Sequence, residues 1–236
     1  MKKQISLWMT AILLFGTVVT FAQKPFAGTI TFETTAEGTD DPNIAAQLSA
    51  LTQEVIVMGN NTRTNMSQPG IDVINISNGD YNLKTMVLDI PGYGKYYIEN
   101  DAEKLQEALK KVKFDYKYTD ETKSIAGYNC KKVNVTETNL ESDEETAIVL
   151  WVTEELMTGP NINFGTYPDL KGYVMCTEVK KAIEGNDMTI VVTATKVTPN
   201  KKVKPTTFLR PSDAKPIEEA PEELKKMLRM GEDEKE

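Results

Sequence analysis

The 35 aspartates and glutamates carry most of this chain's capacity for acid–base chemistry, because it contains no histidine at all. That absence removes the commonest general base, the commonest metal ligand and the usual partner of a serine or cysteine nucleophile. No G-x-S-x-G elbow, no G-x-x-x-x-G-K phosphate loop and no C-x-x-C pair occurs. Catalysis by two carboxylates alone, as in glycosidases, survives this filter. No pair of acids stands out by context, and the densest run, Glu141-Ser142-Asp143-Glu144-Glu145, reads as a solvated loop. The expectation is a non-enzymatic protein with no cofactor and no metal.

The other reactive side chains are two thiols, Cys130 and Cys176, both in segments that alternate like strands. Two readings stand for them: a disulfide, or two buried free thiols acting as small hydrophobes. Methionine is more plentiful, including Met58, Met66, Met86, Met157, Met175 and Met188. Its flexible thioether adapts to irregular apolar ligands and to irregular cores alike.

Short strands have to position all of these groups. From Gly28 the chain alternates with period two between glycine and asparagine turns, giving strands at 28–37, 54–58, 61–66, 71–77, 81–90 and 95–99. Gly59-Asn60 is a two-residue hairpin turn and Asn78-Gly79 a hairpin signal between 71–77 and 81–90, so the strands they join are antiparallel. Further strands follow near 113–123, 128–137, 146–153, 171–182 and 188–198, the last two joined at Gly185-Asn186. Ala147 to Val152 is apolar at both alternating positions, which marks a strand buried on both faces.

Two short helices interrupt the strands. Asp41-Pro42 starts one that carries Ile44, Leu48 and Leu51 on one side. Asn100 and Glu103 form a capping-box start to the other, whose stripe is Ala102, Leu105, Leu109 and Val112. The fold class is mainly β: one curved antiparallel sheet forming an incomplete barrel, with the helices covering its concave face. A two-sheet sandwich is the alternative.

Lys2, Lys3 and the apolar run Leu7 to Phe21 read as an export signal, cut after Ala22. The apolar run is shorter than the roughly 18 residues of a spanning helix, and no later segment approaches that length. The expected organisation is a signal over 1–22, a half-barrel over 23–199 and a proline- and charge-rich tail over 200–236. Within the tail, Pro221 to Met230 forms a short helix ending at Gly231. The signal takes two lysines and no acid, so the formal charge falls by two, from −8 to −10. Nucleic acid and anionic membrane surfaces are repelled by such a chain. Neither cysteine lies at the cleavage site, so the expected form is periplasmic, soluble and without a lipid anchor.

Two blocks carry a family likeness. Ile125-Ala126-Gly127-Tyr128-Asn129-Cys130-Lys131-Lys132, followed by Trp151-Val152-Thr153-Glu154-Glu155 and Gly159-Pro160, resembles the core of the GLPGLI family of exported bacterial proteins. Tyr167 to Gly172 sits where that family carries its naming motif and departs from it at most positions. With Gly59-Asn60-Asn61-Thr62-Arg63 and Lys95-Tyr96-Tyr97-Ile98 included, the chain looks closer to the exported family called domain of unknown function 4412. Both families are similar in architecture to the LolA-type lipoprotein carriers, whose half-barrel holds acyl chains under its helices. The resemblance implies a carrier for a lipid or an acylated protein.

The first functional reading is therefore a periplasmic binding protein for an apolar ligand. Alternation and helix faces nominate Met58, Met66, Met86, Leu105, Leu109, Trp151 and Met175 as pocket lining, with Trp151 at the sheet's centre. Such a carrier needs an apolar cavity of about 300 Å³ or more. The second reading is a cell-envelope interaction module with a solid core, a protein partner and no ligand. Sequencing the N-terminus of the exported protein should give Gln23 first; a mature chain retaining residues 1–22 overturns the compartment assignment.

Overall fold

Strict alternation makes β1 (Ala27–Glu37) the centre of the sheet, with Ile30, Phe32 and Thr34 buried on one side. This computed structural model describes residues 25–38, 42–49, 51–68, 70–183 and 186–228. The export signal, the cap at Asp41, the turn at Gly185 and the helix end at Gly231 lie outside the described residues. After β1 come α1 (Pro42–Ser49), β2 (Gln53–Met58), β3 (Asn61–Gln68), β4 (Ile71–Asn78), β5 (Leu83–Ile90) and β6 (Gly94–Asn100). Then follow α2 (Ala102–Leu109), β7 (Val112–Ile125), β8 (Tyr128–Asn139), β9 (Glu145–Thr153), β10 (Tyr173–Ile183) and β11 (Asn186–Pro199). The tail adds β12 (Lys215–Pro216) and α3 (Glu222–Met227).

One open, curved sheet results, in the order β12-β6-β5-β4-β3-β2-β1-β11-β10-β9-β8-β7. All pairs are antiparallel except β12 with β6, so the expected antiparallel sheet is mixed at that edge. β6 and β7 stand near opposite ends of the sheet, yet only α2 and its short flanks separate them in sequence. Eight helical residues rise about 12 Å. The sheet must therefore curl until its ends approach, and α2 touches both β6 and β7 across the gap. Its N-cap is Asp101, whose carboxylate accepts from the Lys104 N–H at 3.0 Å, one residue later than the capping box read from sequence.

Strand β9 is buried on both faces, as its composition demands: Ile148, Leu150 and Val152 pack with Val133 and Val135, while Trp151 packs with Cys130 and Cys176. The two thiols are free and buried. β9 runs between their strands, with Lys131 opposite Val152 and Cys176 opposite Trp151. Two strand spacings place their backbones about 9.5 Å apart, beyond the roughly 7 Å that a disulfide spans. Of the two readings, the buried free thiols are what the structure holds. Burial pushes Cys130 up to about 11 and raises Cys176 as well.

The tail is an integral clasp on the sheet. Across β3 to β6 one face carries the rows Thr64, Asn75, Met86, Ile98 and Met66, Val73, Leu88, Tyr96. This is the inner face, which also receives the long β9–β10 connection. Asn65, Ile74, Val87 and Tyr97 belong to the outer one. The tail begins outside: Arg63 donates to the Thr207 carbonyl at 3.2 Å, Phe208 is buried, and the Arg210 guanidinium lies 3.7 Å over the Tyr97 ring. It crosses the edge as β12, tied by Lys95 to Asp213 at 2.7 Å. Inside, Ile217, Ala220 and Leu224 pack against Val73, Leu88 and Tyr96.

Burying a leucine side chain contributes about 1.5–3 kcal/mol, and Leu224 is 0% exposed. Leu224→Ala should cost about 2–5 kcal/mol in denaturant unfolding. Removing residues 200–236 should leave a protein that no longer unfolds cooperatively. A truncated chain as stable as the full one would show that the clasp is dispensable.

Candidate functional site

Between β9 and β10 runs a connection, Glu154 to Gly172, without helix or strand. Loops of this length in a compact domain are usually functional. Its backbone is pinned to the turns at the end of the sheet. Gly159 N–H donates to the Gly59 carbonyl at 2.9 Å and Phe26 N–H to the Met157 carbonyl at 3.0 Å. Asn161 N–H donates to the Asn60 carboxamide at 2.8 Å, and the Asn161 side chain donates to the Gly79 carbonyl at 3.0 Å and to Asn82 at 3.1 Å. The Asp80 carboxylate orients this knot by accepting from Asn60 at 2.8 Å and Asn61 at 2.7 Å. Asn163 folds the connection on itself by donating to the Leu170 and Gly172 carbonyls at 3.0 and 2.8 Å.

Two glycines make the approach possible. A Cβ on Gly79 would stand 2.7 Å from both the Asn60 and Asn161 carbonyl oxygens, and one on Gly159 would fall on the Asn60 carboxamide oxygen. The Gly59-Asn60 turn lies where the sequence places it, whereas the β4–β5 turn is the four residues Gly79 to Asn82, with Asn78 paired to Leu83 inside the ladder, so the strand expected from Tyr81 starts at Leu83. Both turns anchor the connection.

From these anchors the apolar side chains of the connection enter the sheet. Leu156 and Ile162 join Ile30, Phe32, Val55 and Met175. Leu170 and Tyr167 lie on Val133, Val135 and Leu150, with Tyr167 edge-on to Phe114 at 6.0 Å. Leu156, Ile162 and Leu170 are thereby buried as parts of the core.

A groove of about 230 Å³ remains between α2 and the connection, smaller than a carrier pocket was expected to be. Ala102, Leu105 and Leu109 line it on the helix side, Phe164, Tyr167 and Leu170 on the other. No residue of α2 is fully buried, so its apolar stripe is half covered. A larger cleft of about 570 Å³ opens beside β7 and is lined by Tyr118, Asp120, Lys131, Glu154, Glu155 and Lys171. Its charged side chains are solvent-exposed and of both signs.

The structure separates the residues nominated as pocket lining. Leu105 and Leu109 share the groove. Met175 is fully buried in the core, and Trp151 lies there with its indole N–H donating to Glu178 at 2.8 Å and the Lys123 ammonium 5.3 Å from its ring centre. Met66 and Met86 support the cluster under the tail, and Met58 is half-buried at the end of β2. Only the two leucines line the groove, because the methionines fill irregular packing elsewhere. Phe164, Tyr167 and Leu170 were not nominated as lining because they follow no period, although Tyr167 and Leu170 stand in the block compared with the GLPGLI family's naming motif. The available signal was three large apolar residues in a segment with no strand or helix pattern.

Compared with protein families and with curated proteins, the chain matches none. Among solved structures it is similar to a DUF1329 family protein from Desulfovibrio piger ATCC 29098, with 8% identity over 80% of this chain and 91% of that one, at a TM-score of 0.25. The likeness to GLPGLI and to domain of unknown function 4412 stands on its residue blocks alone.

Gly159→Ala should force the connection off the Gly59-Asn60 turn at a cost of about 1–3 kcal/mol. Limited proteolysis should then cut first within residues 154–172. An unchanged cleavage pattern and melting temperature would show that the knot does not hold the connection.

Proposed function

We propose that this is an exported, non-catalytic binding protein for a slender apolar ligand: one acyl chain, free or borne by an acylated protein. One observation carries the reading. An amphipathic helix, α2, faces three large apolar side chains, yet its own stripe of Ala102, Leu105 and Leu109 is only half covered. Half-exposed apolar surface of this kind, rimmed by Gln106, Asn163 and Asp169, is what ligand grooves present.

The size of the groove selects the ligand. At about 230 Å³ it falls short of the roughly 300 Å³ that a carrier needs, which counts against a multiply acylated anchor and leaves room for a single chain at most. Room for more requires α2 to lift as a lid. The signal-like start and the blocks resembling exported families support a periplasmic setting. The lidded half-barrel of LolA-type carriers is the architecture that this resemblance implies. A solid envelope module with a protein partner is the second reading, favoured by the burial of Leu156, Ile162 and Leu170 in the core.

Native mass spectrometry of the protein isolated from periplasm, followed by organic extraction, separates the two. A stoichiometric acyl species supports the ligand reading. Leu105→Asp should lower its occupancy at least tenfold with the melting temperature unchanged, since Leu105 is only half-buried. A clean apo mass that gains nothing from envelope lipids favours the interaction module.

A further inference from the structure

A second depression, of about 310 Å³, lies on the inner face of β4, β5 and β6. Sheet register sets its composition. Ser77, Lys84 and Asn100 form one row, and Asn75, Met86 and Ile98 the next. The Asn75, Ser77 and Asn100 side chains make no hydrogen bond among the described residues, and no carboxylate lines the trough. Lys84 is its single charge.

Among the described residues Lys84 has no ion-pair partner, and burial lowers its pKa. Its ammonium donates to the Gly165 carbonyl at 2.8 Å and to the Thr166 hydroxyl, and lies 5.9 Å from the Phe164 ring centre. An ammonium has three donors, so one is left over. A partly buried cation held only by neutral groups lacks the counter-charge that would compensate its desolvation. In a chain with eight more acids than bases, the lining of this trough excludes acids altogether.

The trough also meets the groove under α2. The position that a Cβ on Gly165 would take is 3.3 Å from Lys84 Cε and 3.3 Å from Leu105 Cδ2. Cation and apolar stripe therefore flank one glycine.

We propose that Lys84, with Asn75, Ser77 and Asn100, receives the anionic head, carboxylate or phosphate, of a single-chain amphiphile whose tail lies along Leu105 and Leu109. The assignment rests on the reading of the groove as a ligand site and adds the charge of the ligand. It requires charge selectivity, which a purely apolar groove would not give.

Isothermal titration of the mature full-length protein with oleate, 1-oleoyl-glycerol phosphate and oleyl alcohol tests it. At least one of the two anions should bind tenfold or more tightly than the alcohol, and which one does names the head. Lys84→Gln should bring the anions to the level of the alcohol, and Lys84→Arg should restore most of the difference. Because Lys84 also tethers the connection, Asn75→Asp provides a variant that leaves the tether intact. It should weaken the anions and spare the alcohol. Equal binding of alcohol and anions, or selectivity untouched by Lys84→Gln and Asn75→Asp, overturns the head-group assignment and leaves the groove reading standing. No binding of any of the three overturns both.

Discussion

A curled sheet whose end strands never pair has to keep water from its apolar inner face without the hydrogen bonds that would close a barrel. The rest of the structure follows from that constraint. Three segments do the closing, and each is held differently. The β9–β10 connection is held by backbone approach to two turns, which requires glycine at 79 and 159. The tail is held by apolar burial on both faces of the β6 edge and by a two-residue parallel pairing. Helix α2 is held at its ends, between β6 and β7, with no residue fully buried. Of these three segments, α2 is the one without a buried residue, and local opening draws on elements of that kind.

The polar groups follow a division of their own. Carboxylates stand mainly on exposed positions, while the knot at the sheet end is built from carboxamides around the one carboxylate of Asp80. Carboxamides supply donors and acceptors without the desolvation cost of burying charge. Even so, the Oδ1 atoms of Asn61 and Asn78 are buried without a hydrogen-bond partner among the described residues. Tight closure at this end is obtained at some cost in polar satisfaction.

Much of the sheet was legible in the sequence because period-two alternation and the Gly59-Asn60 turn depend only on neighbouring residues. The hairpin at Asn78-Gly79 was legible too, but its turn extends over Gly79 to Asn82. β9 was legible for the same reason, since the unbroken apolar run from Ile148 to Val152 leaves no face for water there. What escaped depends on contacts distant in sequence. The tail reads as extended from its prolines, and only the sheet edge reveals Phe208 and Ile217 as buried anchors, whereas Leu224 stands out in the sequence as part of the apolar side of a short helix. The connection has no period, so its apolar residues gave no pattern. The pairing of Cys130 with Cys176 could not be decided until the strand order placed β9 between them. Of the residues nominated for a pocket, the leucines share one groove because helical spacing fixes a face, whereas a methionine's place in a strand does not say which space it fills.

The packed core and the half-covered stripe of α2 are compatible because they belong to different layers. Leu156, Ile162 and Leu170 already close the core beneath the connection. Lifting α2 would therefore uncover the groove of Leu105, Leu109, Phe164 and Tyr167 and leave the packed centre around Met175 and Leu150 intact. Residues that hold the fold and residues that would meet a ligand are thus largely separate sets. Leu170 is the main exception, since it packs on the strands and also floors the groove. Lys84 joins the layers on the polar side, reaching from the sheet to the connection beside Leu105. A head group bound there would touch both the sheet and the pinned connection, while the chain alone would lie against α2.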